Sequence, residues 1–169
     1  MLLDVSKVIS MEGTEIPFTM EVVLPETVLL GEKVSFPAPA TLNGHCSALG
    51  ETIHLHGTLS FKAVSRCVNC LCESEQLFAV PVDAVYATQP SAADPDLYLY
   101  EGSKLDPSPM AEEMANLALP MRWLCKPDCL GLCPRCGANR NIASCSCRTE
   151  EPIINPFSAL RLSEDEREV

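Results

Sequence analysis

The sequence predicts an α+β protein: a mainly antiparallel β-sheet or partial barrel, one principal helix and a C-terminal cysteine module of the zinc-ribbon kind. Three observations predict it. Apolar and polar residues alternate with a period of two through 53–63, one stretch at 108–119 carries helical punctuation, and six of the 10 cysteines fall within 124–147. At 169 residues and 47% hydrophobic content the chain can fill a core. The expected layout is a β-rich domain over 1–120 with the helix near 109–119, a cysteine-rich metal-binding module over 121–150 packed on it, and a tail over 151–169.

Residues 16–30 (IPFTMEVVLPETVLL) are dominated by apolar β-formers, and Pro25, which cannot donate to a ladder, interrupts them and suggests two short extended pieces or an edge strand with a bulge. Gly31-Glu32-Lys33 reads as a turn. A strand is expected within 40–49, although Asn43-Gly44 interrupts its pattern, and Gly50-Glu51 turns the chain back. In the clearest strand Ile53, Leu55, Leu59, Phe61 and Ala63 alternate with His54, His56, Thr58, Ser60 and Lys62, which gives one buried and one wet face. His54 and His56 share the wet face and could chelate a metal, though solvated strand histidines are the commoner outcome. Cys46 has no cysteine near it and reads as a buried structural thiol. Residues 75–86 form the next strand, an edge or bulged one by virtue of Pro81, so that Cys67, Cys70 and Cys72 sit at a hairpin tip.

Residues 87–107 lose periodicity and gain Pro, Ser and Asp, as a mobile acidic connector would, with Tyr98 and Tyr100 available to dock it. The helix then has Ser108 at its N-cap, Pro109 at its first position, and Glu112 and Glu113 near the positive end of its dipole. Met110, Met114, Leu117 and Ala118 share one face, and Pro120 is the stop. Past the cysteines, Asn155 could cap a short helix that turns Phe157 and Leu160 onto the protein itself or toward a partner.

The first residues carry no basic segment ahead of a long apolar run, and nothing later approaches a membrane span, so a cytoplasmic protein is expected. In a reducing compartment cysteines at these spacings bind metal more readily than they form disulfides. In Cys133-Pro134-Arg135-Cys136-Gly137 two thiolates three positions apart can wrap one ion, and Gly137 permits the positive φ that lets backbone N–H groups approach sulfur. Asn139 and Asn141 mark a turn that returns Cys145 and Cys147, and the four sulfurs Cys133, Cys136, Cys145 and Cys147 form one all-thiolate site. Cys67 and Cys70 have only half a ligand set, and Cys125 and Cys129 are left over, so these four make a second site that staples the middle of the chain to its C-terminal third. Two alternatives stay open on spacing alone: Cys125 or Cys129 serving the first site in place of Cys145 or Cys147, and Cys72 replacing Cys70.

Zn2+ is the expected ion, because a closed tetrahedron of thiolates is a structural zinc site and leaves no position for water or substrate. A thiol redox motif should open a helix within a βαβ unit, and there is no Gly-rich phosphate loop, GxSxG or HExxH, so neither turnover chemistry nor a small-molecule substrate is expected. The formal charge is −11, and each four-thiolate site with its dication changes it by about −2, to roughly −15 for two. Such a chain repels bulk nucleic acid and attracts basic proteins. Arg122, Trp123, Lys126, Arg135, Arg140 and Arg148 concentrate local positive charge and one aromatic ring, which would either touch RNA or offset the thiolates.

Ser65-Arg66-Cys67-Val68-Asn69-Cys70 after a strand, Leu119-Pro120 ahead of CKPDCLGLCPRCGANRN, and Asn155-Pro156-Phe157 near the end resemble the YceD-like family of large ribosomal RNA subunit accumulation proteins. Asn69 stands where the family's hairpin usually carries arginine in C-x-R-C, and Arg66 precedes Cys67 instead. The resemblance implies a non-catalytic cytoplasmic factor that supports 23S rRNA accumulation and large-subunit assembly. Its partner would be the subunit precursor or a basic ribosomal protein, met through the basic residues or Phe157. The alternative is a zinc-ribbon regulator that binds RNA or DNA.

Overall fold

A computed structural model describes residues 2–11, 13–90 and 97–147. The chain divides into two compact units, Met1–Cys129 and a second that begins at Leu130. Residues 121–129 therefore group with the β-rich part of the chain, beyond the line drawn at 120 from sequence.

The first unit opens with β1 (Leu3–Asp4) and a five-residue helix α1 (Ser6–Ser10), which composition did not announce. The Asp4 carboxylate accepts from the Ser6 backbone N–H and hydroxyl, and this holds its pKa below the usual carboxylate range. β2 (Ile16–Val22) and β3 (Thr27–Leu29) are the two pieces separated by Pro25. β4 (Glu32–Val34) follows after two residues only, Leu30 and Gly31, with φ of 50° and 87°. Glu32 and Lys33 thus belong to a strand, and the turn is a two-residue hairpin loop with both φ positive, the type whose twist matches the flanking strands.

Three long strands form the body of the sheet: β5 (Ala40–Leu49), β6 (Thr52–Arg66) and β7 (Glu73–Ala87). Their antiparallel registers run without a bulge, from Thr52↔Ala87 to Arg66↔Glu73 between β6 and β7. β2 pairs with β5, and β8 (Tyr98–Leu99) pairs parallel with the last residues of β7, so the five-stranded order is β2-β5-β6-β7-β8 and the sheet is mixed. Pro81 falls in the part of β7 that β8 does not reach, where its missing N–H costs no ladder bond. The chain then passes through β9 (Lys104–Leu105), paired with β1, into α2 (Ser108–Ala118).

Asn43-Gly44 does not break β5. Gly44 lies opposite Gly57, and a Cβ added at Gly44 would sit 2.1 Å from the His56 carbonyl oxygen. The glycine that argued against a strand is what lets two strands approach this closely.

Burial follows the period-two reading. Ile53, Leu55, Leu59, Phe61 and Ala63 from β6 join Leu42, Cys46 and Ala48 from β5 and Val82, Ala84 and Tyr86 from β7. The buried Cys46 thiol is pushed above its usual pKa by burial. α2 contributes Met110, Ala111 and Ala115, while Leu117, expected on the inner face, is 72% exposed. The helix cap also differs from expectation. The Asp106 carboxylate accepts the Ser108 N–H at 3.0 Å and Pro107 occupies the N-cap, so Ser108 is already helical. The described part of the supposed connector, 97–107, is anchored rather than loose: Leu105 and Tyr100 are buried, and the Tyr98 hydroxyl donates to the Glu113 carboxylate.

In the second unit the described residues 130–147 form successive turns with one ladder contact among them, the bridge Leu132↔Asn139. The stretch 155–162, including Asn155, Phe157 and Leu160, and Arg148 lie outside the described residues.

The Gly44–Gly57 approach is open to measurement. Gly44→Ala is expected to cost about 2 kcal/mol or more, because the added methyl meets backbone and no side chain can move aside for it. The readout is a lower urea midpoint at unchanged slope, and a wild-type midpoint would contradict the close approach.

Candidate metal centres

The first cluster is assembled from a hairpin tip and a segment that follows α2. Where the β6–β7 register runs out, Cys67 N–H donates to Cys72 O at 2.9 Å and Leu71 N–H to Cys67 O at 2.8 Å, with Leu71 at φ 59°. This tight loop holds the Cys67 and Cys70 sulfurs on one side. After α2, Leu119 is extended and Pro120 stops the helix, and the chain descends along the sheet with Trp123 as its anchor. The indole is 4% exposed, packs on Phe78 at 6.1 Å between ring centroids, and donates its N–H to Ser74 Oγ at 2.9 Å. Phe78 stacks on Phe61 at 5.1 Å, and Phe61 meets Phe36 edge-on at 5.7 Å, so the anchor continues an aromatic row across the core.

Four further bonds fix the segment. Trp123 O accepts from Val68 N–H at 2.9 Å, Leu124 O accepts from the Gln76 amide at 2.8 Å, the Arg122 guanidinium donates to Asn69 Oδ1 at 3.0 Å, and the Asn69 amide donates to Cys129 O at 3.4 Å. Cys125 and Cys129 then face Cys67 and Cys70. The sulfurs of Cys67 and Cys129 are 3.7 Å apart, those of Cys70 and Cys125 3.5 Å, and all four lie within 4.8 Å of one another.

These separations discriminate between chemistries. A disulfide needs about 2.05 Å between sulfurs, and none of the ten cysteines is disulfide-bonded. A zinc ion with four Zn–S bonds of about 2.3 Å has a tetrahedral S···S edge of about 3.8 Å. The first cluster therefore fits a tetrahedral ion.

The second cluster is local. Cys133 N–H donates to Ala138 O at 2.8 Å, and Gly137, at φ 73°, returns its N–H to Cys133 O at 2.9 Å, which places Cys133 and Cys136 side by side. Asn139 and Asn141 build the next turn: the Asn139 carboxamide oxygen accepts from both the backbone and side-chain nitrogens of Asn141, and Asn141 Oδ1 accepts from Leu130 N–H, each at 2.9 Å. Cys145 and Cys147 come back against the first pair, and these four sulfurs also lie within 4.8 Å of one another. Each of the two clusters could hold a metal ion.

In each cluster one thiol is driven down while neighbours are driven up. Burial works against ionisation of Cys67, but the backbone N–H groups of Cys125, Cys70 and Asn69 overcome it and bring the thiol down to about 6. Cys70 goes the other way: the Cys72 N–H favours its thiolate, yet burial and the thiols of Cys125, Cys67 and Cys129 outweigh this and raise it. Burial raises Cys125. In the second cluster the N–H groups of Cys136 and Arg135 lower Cys133 to about 6, the Cys133 thiol raises Cys145, and the Cys136 thiol pushes Cys147 up to about 12.

Cys72 is exposed, with its sulfur toward Cys70 O at 3.7 Å, and stands outside both groups of four. His54 contacts Thr52 Oγ1 at 3.2 Å, and His56 Nδ1 lies 3.1 Å from Asp83. Neither histidine belongs to a converged metal-binding group among the described residues. Trp123, expected on a basic and aromatic face, is buried and offers no ring for stacking, while Lys126 lies 3.8 Å from Asp128. Arg122 is turned to Asn69, and Arg135 and Arg140 belong to the second unit. The sequence reading missed Asn69, Ser74 and Gln76 as the residues that position the first cluster. Only Asn69 gave a signal, by its place between two cysteines.

With the folded chain holding the Cys67 and Cys133 thiols down to about 6, zinc added to folded metal-free protein at pH 7 is expected to release fewer than four protons per ion. Below pH 6 those two thiols are protonated as well, so the release rises toward four and the affinity falls more steeply with acidification. Indicator-dye titrations at pH 7 and 5.5 check this; equal proton release at both would contradict it.

The family described as large ribosomal RNA subunit accumulation protein YceD matches residues 55–162, a span that runs from β6 through both cysteine clusters. Among curated proteins, an uncharacterized protein of Mycobacterium leprae (strain TN) is 28% identical over 114 residues, which is 63% of this chain and 51% of the relative. Uncharacterized proteins of Mycobacterium bovis and Mycobacterium tuberculosis are 30% identical over 95 residues, 53% of this chain and 46% of theirs. The chain spans about half the length of the curated relatives it matches. No solved structure matches it. With the family match extending over more than half of the sequence, the chain belongs to the YceD family of large ribosomal RNA subunit accumulation proteins.

Proposed function

We propose that the chain is a non-catalytic cytoplasmic factor that supports 23S rRNA accumulation and assembly of the large ribosomal subunit, with two structural zinc ions held by Cys67, Cys70, Cys125 and Cys129 and by Cys133, Cys136, Cys145 and Cys147. The observation that carries this reading is the family match over 55–162, which includes both clusters. The donor chemistry supports the metal: four thiolates at tetrahedral spacing are the ligand set of closed zinc sites, whereas catalytic zinc keeps a position open for water. The zinc ions then serve folding, since ligands that converge only in the folded chain couple binding to folding.

Charge supports a basic ribosomal protein, or a protein-rich surface of the subunit precursor, as the partner. At −11, and roughly −15 with two ions, the chain attracts basic proteins over long range and repels exposed RNA. One stretch departs from this pattern: 130–147 carries Arg135 and Arg140 and no carboxylate. Direct rRNA contact belongs there, if anywhere on the described chain.

Metal analysis of protein purified without chelator is expected to give two zinc equivalents, with Cys67→Ser and Cys133→Ser each losing one. Zinc-free wild-type protein, or disulfides in its intact mass, would overturn the assignment. For the partner, the full chain is used as bait in native cytosol, with half of the sample treated with RNase. Large-subunit proteins that survive RNase support protein-mediated binding. Recovery lost on RNase favours the arginine-bearing stretch, and ribosomal material absent from both halves removes the assembly reading.

A further inference from the structure

The β3–β4 loop holds a residue that local chemistry does not favour. A two-residue hairpin loop with both φ positive is normally filled by Asn, Asp or Gly, because a Cβ-bearing residue without a short polar side chain is strained there. Here the first position is Leu30, at φ 50°, and its side chain is not buried in compensation: it is 76% exposed. Strain and exposed apolar surface combine at one residue, a pairing that points to use by a partner.

Leu30 does not stand alone. With Leu29 it forms one wall of a cleft whose other walls are Val68 at the hairpin tip and Pro120, Met121 and Trp123 from the segment after α2. Met121 is 81% exposed and Val68 44%. The walls are fixed from behind. The Ser35–Val64 bridge and the Ser65 hydroxyl donating to Lys33 O at 3.0 Å tie the β3–β4 hairpin to β6, and the Val68–Trp123 bond ties the hairpin tip to the third wall beside Cys67 and Cys125. The cleft has a volume of about 60 Å³, far below the ~300–1,000 Å³ of small-molecule sites and suited to the end of one apolar side chain. A second, polar hollow adjoins it, sharing Glu32, Ser65 and Arg66 and adding Glu26 and Glu73. Its three carboxylates face two cations, of which Lys33 is already paired with Glu26 at 2.7 Å.

We propose that this cleft is the docking point for a basic protein segment, which seats one apolar side chain between Leu30, Val68 and Met121 and lays its Lys or Arg residues over the adjoining carboxylates. The proposal rests on the assembly reading above and names the surface that reading leaves open. The occupant is basic because the rim and the chain as a whole are acidic. The first cysteine cluster adjoins this cleft: Met121 and Trp123 lie in the segment that supplies Cys125 and Cys129, and Val68 lies between Cys67 and Cys70.

Leu30→Asn tests this with opposite signs. Asparagine suits the positive φ and removes exposed apolar surface, so the variant is expected to melt at a higher temperature than wild type and yet to bind less. The full zinc-loaded chain, its Leu30→Asn variant and Met121→Ser are immobilised and exposed to RNase-treated proteins washed by high salt from large ribosomal subunits of the same organism, and retained proteins are identified by mass and retested pure. The expected result is basic proteins on wild type and at least fivefold less on both variants, with Leu30→Asn melting higher. Equal retention by wild type and variants overturns the cleft and leaves the assembly reading intact, whereas no retention by wild type overturns both. A wild-type dimer in sedimentation that Leu30→Asn dissociates would assign the cleft to a second copy of the chain and overturn the basic partner.

Discussion

The first unit depends on one closure, the meeting of Cys67 and Cys70 with Cys125 and Cys129. The paired sulfurs are separated by 62 and 55 positions in sequence. Closing a loop of that length costs on the order of 3–4 kcal/mol in chain entropy. The bonds that surround the closure, Val68 to Trp123, Gln76 to Leu124 and Arg122 to Asn69, each contribute about 1 kcal/mol. Burial of Trp123 against Phe78 adds a comparable amount. The protein–protein contacts alone thus roughly balance the entropy. An ion on four thiolates, worth about 10 kcal/mol or more at neutral pH, would convert a balanced closure into a committed one.

The thiols themselves show how each cluster is prepared for a cation. In the first cluster, where sulfurs lie 3.5–3.7 Å apart, backbone N–H groups favour the thiolate at Cys67 while Cys70 and Cys125 are raised, and in the second Cys133 is lowered while Cys145 and Cys147 are raised. The backbone is already arranged for thiolate at Cys67 and Cys133. A dication would complete what the N–H groups begin at one sulfur and extend it to the other three.

Where each residue's own chemistry settles its place, the sequence was legible. The alternation from Ile53 to Ala63 reports a half-buried strand without reference to anything distant, and Cys133-Pro134-Arg135-Cys136-Gly137 turns on itself. The partner of Cys67 and Cys70 was reached only by elimination, because no local signal in Cys125 or Cys129 says what they face. The misreadings share one cause, a local propensity overridden by a contact elsewhere. Glu32-Lys33 looks like a turn until Leu30-Gly31 takes the positive φ, whereas the strand expected within 40–49 stands, with Gly44 opposite Gly57 inside it. Polar composition hid Leu105 at 97–107, which joins the expected docking residue Tyr100 in anchoring a short segment. Trp123 read as surface because its neighbours Arg122 and Lys126 are charged; the indole itself reaches inward to Ser74.

Asn69 links the metal cluster to the character of the surface around it. It stands between the two hairpin cysteines, accepts from the Arg122 guanidinium and donates to the Cys129 carbonyl. The guanidinium beside this hairpin therefore arrives from the segment that also supplies Cys125, and both charges, thiolate and cation, are delivered by the same closure. That places a cation next to a cluster which would otherwise carry about −2 with its ion. The remaining acidity of the chain is then left to the exposed carboxylates, such as Glu26, Glu32 and Glu73, which lie on one side of the same hairpin and β3–β4 loop. With Lys33 and Arg66 beside them those three carboxylates leave a net charge of about −1, so the rim is set apart from the cysteine cluster by its exposed apolar neighbours Leu30 and Met121 rather than by charge.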